Sequence, residues 1–297
     1  MRRVILALAV LAAAVLGVPT PAAADSSSPG PYPVGYVDAQ VSAAGRSFTA
    51  RIYYPATAAG QGTAVAAGRF PAIAFGHGFL QGVSMYAGTT AHLASYGFVV
   101  GLPTSQGGLL PSHSAFAADL NAQLTWFVAQ DTTTGSRFQG HITTSRLGLS
   151  GHSMGGGASV LAAAANPAVT TVANLAAAET NPSAVTAAAS VTVPMMLVAG
   201  DRDTIAPPAS HQRPIYQSKP APKQLRTITG GFHCGFMDSS GLFCDSGSIT
   251  RATQLALTRR ILVDWFRYHL AGDTSAYEQV WGTPAHTDPQ IQFEGVA

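Results

Sequence analysis

Ser153 stands in the run Gly151-His152-Ser153-Met154-Gly155, and its type and neighbours suit it to nucleophilic attack. A serine hydroxyl attacks a carbonyl when a base removes its proton, and an imidazole oriented by a carboxylate is the usual base. Later segments supply both. His233 follows Thr227-Ile228-Thr229-Gly230-Gly231-Phe232, and two carboxylates, Asp201 and Asp203, follow Met196-Leu197-Val198-Ala199-Gly200. Asp203 is preferred, because the chain must turn at Gly200 before a side chain can reach back to an imidazole; Asp201 is placed to pair with Arg202 or cap the turn. Amides to hold a developing oxyanion are expected from Phe79, in Gly76-His77-Gly78-Phe79, and from Met154, at a helix start.

These groups need elements to hold them. The apolar run before Gly151 and the small residues after Gly155 read as strand, sharp turn and helix, a geometry that lifts the serine hydroxyl above a sheet. Short apolar runs at residues 70–75, 97–102, 146–149, 169–175, 193–199 and 224–228 alternate with helix-length segments at 84–96, 114–129, 154–165 and 208–216. That is the pattern of βαβ units and a parallel sheet. Residues 35–41 and 46–54 precede them as an antiparallel pair. A last helix over 250–270 carries Leu255, Ile261, Leu262, Trp265 and Phe266 on one apolar face. The tail after Gly272 matches no pattern.

Composition narrows the partners. Only 10% of the 297 residues are charged and the formal net charge is +2, with no basic run to track a phosphate backbone, so nucleic acid is excluded. Residues 1–24 read as a secretory signal peptide: a basic start, an apolar core shorter than the ~20 residues a membrane span requires, and Ala22-Ala23-Ala24 before Asp25. Export without a stable membrane anchor follows. Residues 25–33 then read as a flexible leader, and 34–297 as one catalytic domain. For an exported chain, Cys234 and Cys244 read as a disulfide contributing about 2.5 to 3 kcal/mol. A metal pair is the weaker alternative, because Cys-x-x-Cys spacing is missing. Of nine histidines, His77 and His152 read as packing groups within the site's own motifs, and His92, His113, His141, His211, His269 and His286 have no catalytic context.

The chain order of oxyanion loop, serine, acid and histidine is that of an α/β-hydrolase. From about Arg69 to Asp264 the sequence resembles the exported bacterial cutinases and polyester hydrolases, in the dienelactone-hydrolase-like and chlorophyllase-like branch of that superfamily. The resemblance rests on residues 92–100, Gly151-His-Ser-Met-Gly-Gly-Gly157, Val191-Thr-Val-Pro194, Asp203-Thr-Ile-Ala-Pro207 and Pro214-Ile-Tyr216. It implies Asp203 as the triad acid, Phe79 as the aromatic oxyanion residue, and ester hydrolysis through an acyl-enzyme with no metal or organic cofactor. Two features depart from that group. Where its members usually carry a tryptophan to grip an aromatic ring, this chain reads Ala176-Ala-Ala-Glu-Thr-Asn-Pro182, and the Cys234 to Cys244 loop has no counterpart there.

The expectation is therefore a monomeric, secreted serine ester hydrolase without a lid domain, acting on small-molecule, lipid or polymer esters. Ser153, His233 and Asp203 form its triad, with the Phe79 and Met154 amides as its oxyanion hole. The same groups could serve a peptidase or an acyltransferase, and an exported binding protein that keeps the fold without turnover is the reading from another class.

Overall fold

The computed structural model describes residues 25–241 and 243–297; the expected signal peptide lies outside them. Strands β1 (Val34–Ala43) and β2 (Arg46–Pro55) form the expected antiparallel hairpin. Its two-residue turn, Ala44-Gly45, has positive φ at both positions, the twist that suits a tight hairpin. A short strand β3 (Gly60–Gln61) borders β1. The chain then enters β4 (Phe70–Gly76), α1 (Ala87–Ser95), β5 (Val99–Pro103), α2 (His113–Thr132), β6 (Ile142–His152) and α3 (Met154–Ala164). It continues through β7 (Val169–Leu175), α4 (Ala184–Ala188), β8 (Met195–Gly200), α5 (Gln212–Ser218), β9 (Lys223–Ile228) and α6 (Arg251–Phe266). Helices α7 (Tyr277–Val280) and α8 (Thr283–Thr287) and strand β10 (Ile291–Val296) complete it.

Among the described residues the sheet has ten strands in the order β10-β9-β8-β7-β6-β4-β5-β2-β1-β3. The six from β5 to β9 run parallel, and β10 and β2 flank them antiparallel. Period-two alternation divides the parallel strands between two cores. Ala72 and Ala74, Leu147 and Leu149, and Leu197 and Ala199 face one, with Phe116, Leu120 and Phe127 of α2, Ala158 and Val160 of α3, and Ile215 of α5. Ile73 and Phe75, Ala173 and Leu175, and Met196 and Val198 face the other, with Leu93 of α1 and Ile261, Leu262, Trp265 and Phe266 of α6. A sheet covered on both faces leaves its strands apolar throughout, which is why they read as continuous runs.

The structure departs from the sequence reading at both chain ends. Residues 25–33, expected as a flexible leader, lie against α1 and α6. The Ser26 hydroxyl donates to Asp264, the Gly30 amide to the Ser95 hydroxyl at 2.8 Å, and the Tyr96 hydroxyl to the Ser28 carbonyl at 2.8 Å, while Tyr32 packs edge-on against Phe70. The tail returns to the sheet as β10, held antiparallel to β9 and by a bidentate Arg213–Glu294 pair at 2.7 and 3.0 Å. Arg226, buried in β9, donates to the Val280 carbonyl at 2.9 Å and fixes the turn that brings the tail back. The last helix is shorter than expected: α6 ends at Phe266, a wider turn spans Arg267–Ala271, and Gly272 closes it in the left-handed region. The expected helix over 84–96 divides into a tight turn, Val83–Tyr86, and α1. No helix among the described residues is long and apolar enough to cross a membrane.

Candidate active site

Ser153 is the residue between β6 and α3, with φ 55° and ψ −119°. A non-glycine residue there stores about 1–3 kcal/mol of backbone strain, which its neighbours must hold in place. Two contacts do so: the Ser153 amide donates to the Leu175 carbonyl at 3.0 Å, and the Ala178 amide donates to the Ser153 carbonyl at 2.9 Å. Strand and helix approach closely because glycines line the contact. A Cβ on Gly155 would lie 2.2 Å from the backbone of Gly76, and one on Gly151 would lie 2.5 Å from that of Gly155.

Asp203 and His233 come together although they leave different strands. Oδ2 of Asp203 accepts a hydrogen bond from Nδ1 of His233 at 2.7 Å, and both side chains are buried. Its other oxygen accepts the amides of Ile205 and Ala206 at 2.9 and 2.7 Å, so the carboxylate is fixed from both sides. Asp201 points elsewhere, accepting the Gly230 amide at 2.7 Å and tying the turn after β8 to the turn after β9. The His233 ring rests on that of His152, with centroids 4.5 Å apart. Ser153 and His233 line one cavity of about 630 Å³. No hydrogen bond joins the serine hydroxyl to the imidazole, a contact that in ligand-free sites commonly tightens only with substrate.

The Phe79 and Met154 amides donate to no group among the described residues. Met154 begins α3, where an amide has no partner within the helix and the helix dipole is positive. The loop bearing Phe79 is held by Tyr86, whose buried hydroxyl accepts the Gly78 amide at 2.9 Å and lies 2.9 Å from Nδ1 of His152. Burial pushes the Tyr86 phenol up, so its proton stays to be donated to His152. Burial, with the neighbouring His233 next, pulls His152 well down, so it stays neutral and does not compete as a base. Sequence reading passed over Tyr86, which sits seven residues beyond Phe79 in a segment read as ordinary helix. Tyr86→Phe is expected to leave the Gly78 amide and Nδ1 of His152 buried and unpaired, costing about 1–3 kcal/mol of stability. Urea unfolding measures this, and kcat should fall about tenfold if the Phe79 amide shifts.

A second cleft, of about 450 Å³, shares Ser153 and Phe79 with the first and is further lined by Met154, Ala178, Leu109, Leu110 and Pro111. His113, without context in the sequence, also lines it, with Nδ1 placed 3.2 Å from the Asn181 amide that donates to it. Exposed apolar side chains crowd both mouths: Leu110 is 97% exposed and Phe243 95%. Among the described residues these walls are loops and the ends of strands and helices, with no lid domain over them. Phe243 belongs to the loop closed by the Cys234–Cys244 disulfide, whose Cα atoms are 5.6 Å apart.

A mostly parallel sheet covered by helices on both faces, with a serine raised at a strand-to-helix turn near its centre, defines an α/β-hydrolase. A family model described as PET hydrolase-like matches residues 12–293, and the chain belongs to that family. Cutinase 1 of Thermobifida cellulosilytica is 31% identical over 203 residues, covering 68% of this chain and 71% of that protein. Cutinase est1 of Thermobifida alba is 34% identical over 152 residues, covering 51% of this chain and 49% of the relative. A bis(hydroxyethyl) terephthalate hydrolase of Streptomyces coelicolor is 33% identical over 170 residues, covering 57% and 49%. The matched part thus spans about half the length of the last two.

Proposed function

We propose that the protein is an exported serine carboxylic-ester hydrolase. The observation that carries this reading is the strained Ser153 sharing a cavity with a His233 that is bonded through Nδ1 to Asp203. With Nδ1–H committed to Asp203, Nε2 holds the lone pair that takes the serine proton as Oγ bonds to the ester carbonyl carbon. The carbonyl oxygen becomes an oxyanion held by the Phe79 and Met154 amides, each worth about 3 kcal/mol of barrier. Collapse breaks the bond to the alcohol oxygen, which takes the proton from Nε2, and leaves an acyl-serine. Water, deprotonated by the same imidazole, attacks the acyl carbon, and as the bond to Oγ breaks Nε2 returns the proton to it, releasing the acid and restoring Ser153.

The proton donor fixes which cavity takes which half of the ester. The alcohol leaves on the side of His233, in the 630 Å³ cavity, and the acyl group lies in the cleft beside Met154 and Ala178. The segment 176–182, which lacks the tryptophan usual in the cutinases and polyester hydrolases that the sequence resembles, gives the acyl cleft only Ala178, so aliphatic acyl groups suit it better than flat aromatic ones. The names of the relatives support ester chemistry, on cutin for some and a terephthalate ester for another. The disulfide supports an oxidising destination.

Hydrolysis of p-nitrophenyl esters from acetyl to palmitoyl, with the benzoyl ester alongside, tests the reading. The expected result is turnover of the aliphatic esters, with the benzoyl ester slower by about tenfold or more. No turnover at any length, with cleavage of a peptide amide instead, would replace it with a peptidase; no turnover of either would indicate an inert binding protein.

A further inference from the structure

The loops that carry the acid and the base are joined by a third carboxylate. Oδ2 of Asp245 accepts the His233 amide at 2.9 Å and the Thr204 amide at 3.2 Å, and Oδ1 accepts the Cys234 amide at 3.0 Å. Thr204 follows Asp203 directly, so one side chain grips the backbone beside the acid and the backbone of the base together. On the sheet side the same two loops are linked by the Arg202 amide donating to the Gly231 carbonyl at 2.8 Å and by Asp201. Asp245 makes a further link between them. Its own position is set from both directions: the disulfide places Cys244 beside Cys234, and the Ser248 amide donates to the Gly230 carbonyl at 3.0 Å.

We propose that Asp245 is a positioning residue for the Asp203–His233 pair, and that the Cys234–Cys244 disulfide serves the reaction by presenting it. The proposal rests on the triad reading above. The 2.7 Å contact between Asp203 and His233 spans two loops, so a small slide of one past the other lengthens it and turns the imidazole away from Ser153. Misplacement of a base on this scale costs up to about 100-fold in rate. Three amide donors on one carboxylate resist that slide, and a neutral amide replaces it only in part, because its nitrogen presents hydrogens where the carboxylate's second oxygen accepted.

The test compares Asp245→Ala and Asp245→Asn with the wild type and with Ser153→Ala, on p-nitrophenyl acetate, with active sites counted by endpoint fluorophosphonate labelling. The expected result is a fall in kcat per labelled site of about 10- to 100-fold, with KM within about threefold. The acid limb of the pH profile should move to lower pH, because a loosened carboxylate stabilises the imidazolium less. If the alanine variant does not fold, the near-isosteric asparagine variant carries the measurement. A kcat per labelled site within about twofold of wild type, with the acid limb in place, would overturn the proposal even if the melting temperature fell, since that pattern describes structure alone. Retained activity in Ser153→Ala would overturn it together with the triad on which it rests.

Discussion

Ser153→Ala is expected to lower kcat on p-nitrophenyl acetate by about 10⁴- to 10⁶-fold and to leave the fold unchanged. Without Oγ no acyl-serine forms, and the oxyanion amides and the two clefts can only assist direct attack by water, a residue of catalysis well below that of the covalent route. The fold should hold for two reasons. The serine hydroxyl has no hydrogen-bond partner among the described residues to lose, and alanine keeps the Cβ, so the strain at φ 55° neither rises nor falls. Ser153→Gly differs in this respect: it should lose activity equally but gain about 1 kcal/mol of stability by relieving the strain. Steady-state rates and urea unfolding of both variants check this, and a stability loss in Ser153→Ala would contradict it.

Gly155→Ala is expected to cost about 3–5 kcal/mol and to abolish most activity in what folds. The added methyl would sit 2.2 Å from the carbonyl carbon and oxygen of Gly76 and 2.6 Å from the His77 carbonyl oxygen. All three are backbone atoms, so no rotamer change makes room. Either α3 lifts away from β4, which displaces Ser153 and the Met154 amide, or Gly76-His77-Gly78 moves outward and takes the Phe79 amide with it. One glycine thus holds both halves of the proposed oxyanion hole at their spacing. Gly108→Ala is the control: a Cβ there meets nothing within 4 Å, and the change should stay within about 0.5 kcal/mol. Equal stability of the two variants would show that the close approach does not matter.

What the sequence revealed was what local pattern can carry. The parallel strands are buried on both faces and announce themselves as apolar runs; the serine turn needs its glycines at fixed spacing; Asp203 and His233 each lie within a few residues of a strand end. Strand β10 did not stand out because it is an edge strand with only Ile291 buried, held by backbone bonds to β9 and by the Arg213–Glu294 pair rather than by an apolar pattern. Residues 25–33 look like a linker because serines and glycines bind there through single hydrogen bonds to α1 and α6, which leave no periodicity. Tyr86 and Asp245 escaped for a related reason. Tyr86 meets the Gly78 amide and the His152 ring, Asp245 the amides of Thr204, His233 and Cys234, and a lone tyrosine or aspartate between elements carries no sign of which group it meets. The two clefts are wholly a product of tertiary structure, since the walls of each come from segments that follow four different strands.

Covalent labelling tests most directly whether Ser153 is the nucleophile and is activated by His233. The purified protein would be incubated with a fluorophosphonate, the adduct located by peptide mapping, and the labelling rate compared in wild type and His233→Ala. A single adduct on Ser153, formed at least about 100-fold more slowly in the variant, is the predicted result. No adduct on the wild type, or an adduct on another residue, would contradict the account.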